Sequence, residues 1–110
     1  MDKDTSLLDN VILELRRGVI VLAVLSQLEN EQYGYSLIKL LAERGLEVDQ
    51  GTLYPLLRRL ESQGLLESNW RVEDARPRRY YVISRAGREL LPRIKNEWNS
   101  LAGMLGKMLS

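Results

Sequence analysis

A chain of 110 residues, 45% of them apolar, is long enough for one packed domain and too short for two of ordinary size. It contains no Cys and no His, which excludes disulfides, thiolate nucleophiles and thiolate metal sites, and removes the commonest general base and metal ligand. The net charge of +1 hides an uneven spread: residues 76–95 carry seven basic groups (Arg76, Arg78, Arg79, Arg85, Arg88, Arg93, Lys95) against Glu89 alone, whereas residues 1–50 carry five against nine acidic ones.

An enzyme built from this composition would have to work with carboxylates, Lys or Tyr only, so a binding protein is expected, with no cofactor and no metal. For a polyanionic partner the local basic cluster matters more than the total charge. The charged start Met1-Asp2-Lys3-Asp4 has no signal-type core after it. The longest apolar run, Val19 to Leu25, is seven residues, against roughly 18 for a membrane span. A cytoplasmic location with no membrane partner is expected.

The first predicted helix runs from about Ser6 to Leu28, because Leu8, Ile12, Leu15, Val19 and Leu22 alternate steps of four and three along one stripe. Asn30 to Gln32 is a polar break. A second helix is expected over Tyr33 to Arg44, with Leu37, Ile38, Leu40 and Leu41 buried, a polar stripe of Ser36, Lys39 and Glu43, and Gly45 as its C-cap. Asp49 can cap a third helix that reaches Gln63, and Leu53, Leu56, Leu57 and Leu60 mark its core face. Leu66, Ser68, Trp70 and Val72 alternate with polar residues as a half-buried strand, which makes Trp70 a hairpin-core residue. The turn is read as Asp74 to Arg78, and Tyr80-Tyr81-Val82-Ile83 returns as the second strand. Ser84 can cap a last helix in which Leu91, Ile94, Trp98, Leu101, Leu105 and Met108 form a heptad seam. Pro92 should kink that helix or split off its first turns.

The order helix, helix, helix, hairpin, long helix is the plan of a winged helix-turn-helix: mainly α with a small β-hairpin. Residues 1–84 would form the DNA-binding head with its N-terminal helix, and residues 85–110 a dimerisation helix, all in one compact unit. Neither end helix has enough partners within one small chain. Leu8, Ile12 and Leu15 at one end and Leu91, Ile94, Trp98, Leu101, Leu105 and Met108 at the other are therefore expected to pair across a dimer axis.

Several segments together resemble the PadR family of bacterial transcriptional regulators. They are Tyr33-Gly34-Tyr35, Gly51-Thr52-Leu53-Tyr54-Pro55, the run Leu56 to Leu66, Arg78-Arg79-Tyr80-Tyr81 and Ser84-Arg85-Ala86-Gly87-Arg88. The resemblance covers roughly residues 13 to 101, and its short tail is similar to the subgroup with a single C-terminal helix. It implies a winged-helix head, dimerisation through that helix, usually repression of a promoter, and often release by a small aromatic or apolar ligand.

The residues support DNA contact on physical grounds as well. A recognition helix presents its N-terminal residues to the major groove. Thr52, Tyr54 and Arg58 lie off the leucine face, with Tyr54 and Arg58 one turn apart. Gly51 permits close backbone approach to a phosphate at a helix N-terminus, and Pro55 removes one helical hydrogen bond and shapes the first turns. Tyr35 and Lys39, on the helix that crosses the backbone, are expected phosphate contacts. Arg76, Arg78 and Arg79 beside the wing turn could reach a minor groove or phosphates. The wing has Pro77 and lacks the glycine often found at this family's hairpin tip. Trp98 is either a packing anchor or, as the resemblance suggests, one wall of an effector pocket with Leu15, Val19 and Leu101.

These observations predict a homodimeric repressor of double-stranded DNA with a palindromic operator, its half-sites about one helical turn (~34 Å) apart. The alternative is a winged-helix interaction module that docks a protein and binds no DNA.

Overall fold

The computed structural model describes residues 3–110, with side chains from Thr5 onward. Seven elements follow one another: α1 (Lys3–Gln27), β1 (Gln32–Tyr33), α2 (Gly34–Glu43), α3 (Gln50–Ser62), β2 (Leu66–Glu73), β3 (Arg76–Ile83) and α4 (Arg85–Leu109). The architecture is mainly helical, with one small antiparallel sheet in the order β1-β3-β2.

The core collects Ile20, Val24 and Leu25 from α1, Leu28 just after it, Leu37 and Leu41 from α2, and Leu53, Leu56, Leu57 and Leu60 from α3. Leu66, Tyr81 and Ile83 close it from the sheet. Each fully buried leucine contributes roughly 1.5–3 kcal/mol of transfer free energy, so the three-helix head rests mainly on these side chains. Ile38 and Leu40, expected inside, are only half-buried. α2 ends as expected: Gly45 takes φ +97°, and the Leu46 amide donates to the Leu41 carbonyl at 2.9 Å, closing the helix end.

α1 divides into two faces with different roles. Its C-terminal half enters the core through Ile20, Val24 and Leu25, continued by Leu28 just beyond its end, and this is not the stripe that the heptad pattern picks out. On that stripe Leu8, Ile12 and Leu15 are exposed, and Val19 and Leu22 are half-buried. Leu91 and Ile94 of α4 pack on the core, but Trp98, Leu101, Leu105 and Met108 are exposed. The Cα radius of gyration, 16.1 Å, exceeds the ~13 Å expected of a compact chain this long. The projecting helix ends account for the difference.

The wing departs from expectation at its tip. Glu73 pairs with Arg76, so the connection is the two-residue turn Asp74-Ala75, shorter than the expected Asp74 to Arg78. Both residues have positive φ, 51° and 63°, as a type I′ turn requires. Asp tolerates this region, whereas the Ala75 methyl is strained there. Ala75→Gly is expected to raise stability by about 0.5–1 kcal/mol, measured by urea unfolding at fixed protein concentration. Pro77 pairs with Val72, next to the closing pair. That is a non-hydrogen-bonded position of the ladder, so its missing N–H costs no inter-strand bond. β1 was not anticipated, since two residues are too few to show a periodicity. It pairs Tyr33 with Tyr80 and Gln32 with Tyr81.

Trp70 is not hairpin core. The inward phase holds at the base of β2, where Leu66 is buried and Ser68 half-buried, but the hairpin then runs past the body and leaves Trp70 64% and Val72 76% exposed. At the other end of the hairpin, Ser84 caps α4: its Oγ accepts from the Gly87 amide at 3.0 Å and donates to the Gly64 carbonyl at 2.6 Å. From there α4 runs unbroken through Pro92, about 37 Å at the usual rise. The expected splitting does not occur: Pro92 and Arg88, whose carbonyl loses its helical partner, both lie on exposed turns open to solvent.

Candidate nucleic-acid interface

The interface is built on the N-terminus of α3. Asp49 has extended backbone, and its Oδ1 accepts from the Thr52 amide at 2.8 Å, as an N-cap should. These hydrogen bonds from Thr52 hold the Asp49 carboxyl below its ordinary value. A carboxyl with a depressed folded pKa stabilises the protein above its unfolded value, and the contribution is lost as pH falls through the folded one. Asp49→Asn keeps the cap geometry and removes this ionisation. It is expected to flatten the stability profile of thermal unfolding below about pH 4 while leaving neutral-pH stability nearly unchanged. An unaltered acid limb in the variant would contradict that role.

With Asp49 as the cap, Pro55 removes the bond to the Gly51 carbonyl. Gly51, Thr52 and Pro55 are all exposed on the first two turns. The predicted contact residues then separate onto two sides of α3. Thr52 and Pro55 face α1 in a shallow groove with Arg17, Gly18 and Arg59. Tyr54 and Arg58 face the wing across a cleft of about 330 Å³, shared with Tyr35, Trp70, Pro77 and Arg78.

Tyr54 is half-buried, its ring fixed by close approach to the start of α2. A Cβ at Gly34 would lie 2.3 Å from Tyr54 Cε1, so only glycine leaves the ring in place. Tyr35 and Lys39 are exposed side by side on α2, with the Lys39 ammonium 5.9 Å from the Tyr35 ring centroid. Ser36 Oγ accepts from the Tyr33 amide at 3.1 Å and orders the first turn beneath them.

The wing arginines have three different environments. Arg76 is exposed, as is Arg58, and neither has an ion pair among the described residues. Arg78 lies 3.6 Å from Glu73 and stacks 4.5 Å over the Tyr33 ring. Arg79, expected at DNA, is turned inward: its guanidinium donates to Glu61 at 2.7 Å and to Ser68 Oγ at 3.0 Å. Glu61 belongs to α3, so this bridge ties the wing to the recognition helix. Burial is the main cause that raises the Tyr81 phenol above its usual range, beside that bridge.

The basic run 76–95 is therefore not one patch. Arg85 pairs with Glu89 at 3.5 Å on the exposed face of α4, and Arg88 reaches the Glu29 carbonyl at 3.3 Å. Tyr33, Leu57, Trp70 and Pro77 complete the cleft without having been named as contacts. Trp70 carried only a core-type signal, Tyr33 entered only as a helix start and in the segment that resembles the family, and Pro77 read as a departure at the tip.

The profile of the transcriptional regulator PadR-like family matches residues 21–93, which span α1's buried half, the reading head and the start of α4. This chain belongs to the PadR-like family. The transcriptional regulator Rv3488 of Mycobacterium tuberculosis is 41% identical over 90 residues, 81% of this chain and 84% of that protein. A solved PadR family regulator from Eggerthella lenta is 44% identical with a TM-score of 0.88, covering 96% of this chain and 95% of its own. A PadR-like regulator from Bacillus cereus superposes with a TM-score of 0.75 at 29% identity, over 88% of this chain and 97% of its own.

PadR-like proteins are transcriptional regulators and not enzymes, and this one carries their winged helix-turn-helix DNA-binding head. Among its described residues no helix is long and apolar enough to cross a membrane, and no group of acidic side chains is arranged to hold a metal ion.

Proposed function

We propose that this PadR-like regulator is a cytoplasmic homodimer that binds a palindromic operator and represses the adjacent promoter. The observation that carries the reading is the arrangement around α3. A capped helix N-terminus, the guanidiniums of Arg58 and Arg76, which have no ion pair among the described residues, and the exposed Tyr35 and Lys39 all belong to the α2–α3–wing unit. Gly51, Thr52, Tyr54 and Pro55 supply the close approach at the helix start, and Arg78 borders it from the wing. Phosphate contacts from the basic residues give affinity, and the first turns of α3 read base edges in the major groove.

Dimerisation is supported by the apolar faces left exposed at both ends: Leu8, Ile12 and Leu15 on α1, and Trp98, Leu101, Leu105 and Met108 on α4, continuous with Leu91 and Ile94. Exposed stripes of this length on a single small chain call for a partner, and a second copy offers the same stripes by symmetry. An effector pocket walled by Trp98, Leu101, Leu15 and Val19 would be completed only by the partner copy. A small apolar or aromatic ligand there would release DNA by favouring one separation of the two heads over another.

Titration of DNA from the protein's own promoter region at two salt concentrations tests this reading, with the mass of the complex measured in parallel. Tight binding of one dimer, weakening steeply with salt over a dyad-symmetric site, is the expected result. Weak binding indifferent to sequence would replace the reading with that of an interaction module.

A further inference from the structure

The wing presents two chemically different faces. On the outer one Arg71 and Arg78 are matched by carboxylates of the protein, whereas Arg76 at the tip has no ion pair among the described residues. Arg71 pairs with Glu31, which also accepts from Asn69 at 2.9 Å, and Arg78 pairs with Glu73. Tyr80 Oη donates to Glu73 at 2.7 Å, and Arg71 and Arg78 lie over the Tyr80 and Tyr33 rings at 4.4 and 4.5 Å. The inner face carries the alternate residues: Trp70, Val72, Pro77 and Arg79. Arg79 is bound to Glu61 and Ser68, so an external ligand meets an apolar surface there, made of Trp70, Val72 and Pro77, all exposed.

Trp70 and Pro77 form one wall of the cleft whose other wall is Tyr54, Leu57 and Arg58. If α3 lies in a major groove, as the regulator reading holds, the wing lies in the neighbouring minor groove. The strand that separates the two grooves must then pass through this cleft. A DNA strand offers alternating phosphates and deoxyriboses, and the sugars are its apolar part. The cleft has matching chemistry: Arg58, without an ion pair among the described residues, on the helix side, and on the wing side the apolar Trp70 and Pro77 beside Arg78 and Arg79, whose guanidiniums are held by Glu73 and Glu61.

We infer that the wing grips DNA through a non-ionic contact, in which Trp70, flanked by Val72 and Pro77, packs on the deoxyriboses of the strand that runs between wing and recognition helix. The inference rests on the regulator reading but makes a separate claim: Trp70 contributes affinity without neutralising a phosphate. Its signature is a loss of binding that does not change with salt, since only phosphate contacts release counterions.

The test is binding of a mixed-sequence duplex of about three helical turns, with wild type, Trp70→Ala, Trp70→Leu, Val72→Ser and Arg76→Ala titrated across a salt series. Trp70→Ala is expected to weaken binding about tenfold at every salt concentration with an unchanged slope of log affinity against log salt, and Trp70→Leu to recover most of it. Val72→Ser should give a smaller loss of the same kind. Arg76→Ala, by contrast, should lower the slope by about 0.9. DNA should also shift the tryptophan emission of wild type to the blue, and the shift should be absent in Trp70→Leu.

Wild-type affinity in Trp70→Ala would overturn the inference. So would a fall in its salt slope, which would make Trp70 a support for Arg79 as a phosphate contact. Failure of the wild type itself to bind any duplex would remove the regulator reading, an outcome separable from either of these.

Discussion

Arg58→Ala is expected to lower the affinity for operator DNA by roughly ten- to a hundredfold, about 1–3 kcal/mol, while the protein keeps its fold and its oligomeric state. Arg58 stands on the third turn of α3, off the face formed by Leu53, Leu56, Leu57 and Leu60, so its loss leaves no cavity in the core. It has no carboxylate partner among the described residues, since Glu61, the nearby acid on the same helix, is engaged by Arg79. An exposed guanidinium without an internal partner is available to a phosphate or a guanine edge at little desolvation cost. Arg58→Lys separates the two possibilities. If the contact is a phosphate, lysine retains most of the affinity and the salt slope; if it is a bidentate guanine contact, lysine fails nearly as badly as alanine and relaxes specificity at one base pair. Fluorescence anisotropy with labelled duplexes reads both, and unchanged affinity in Arg58→Ala would remove α3 from the interface.

Leu101→Glu is expected to abolish the proposed dimerisation and, with it, high-affinity operator binding. Leu101 lies one turn from Trp98 and Leu105 on the exposed stripe of α4, and Trp98 itself is 45% exposed in the single chain. In a two-fold seam the substitution places an unpaired carboxylate in each copy against apolar side chains, at a cost of several kcal/mol per dimer. Sedimentation velocity at micromolar concentration should show the monomer. A single head then meets only one half-site, so operator affinity falls by orders of magnitude. A variant that sediments with wild type would show that this stripe does not face the partner. The core of the head uses none of these α4 side chains beyond Leu91 and Ile94, so local structure should survive wherever the monomer is stable enough to be examined.

Much of the fold was legible because local signals agreed with one another. Asp49, Ser84 and Gly45 mark helix ends by mechanisms that need only the chain itself: a side-chain oxygen for an unpaired amide, or a residue free to adopt positive φ. The leucines of α3 recur with the period of a helix and all four are buried. The segments around Gly51-Thr52-Leu53-Tyr54-Pro55 identified the family, and the head that the resemblance implied is the one observed.

The errors concern places where the environment, and not the pattern, sets the outcome. Trp70 alternates in phase with Leu66, yet Leu66 is buried and Trp70 exposed, because a strand pattern reports which way a side chain points and not whether anything lies in that direction. Arg79 and Arg76 look equivalent in sequence. Glu61 and Ser68, brought in by folding from α3 and β2, bind Arg79 and leave Arg76 free. The exposed stripe Leu8, Ile12, Leu15 is a different case: it was expected at a dimer axis and not in the core, and helical period alone does not say which second surface it meets.

By itself, then, the sequence determined the helices and their caps, the leucine core of α3, the hairpin and the family, since all of these follow from interactions within a few residues or from a motif. The tertiary structure alone decided which arginines are spent internally, the two-residue turn with its strained alanine, the third strand, and the cleft between α3 and the wing. Each of these depends on groups far apart in the chain meeting at distances of a few ångströms, and no local spacing encodes that.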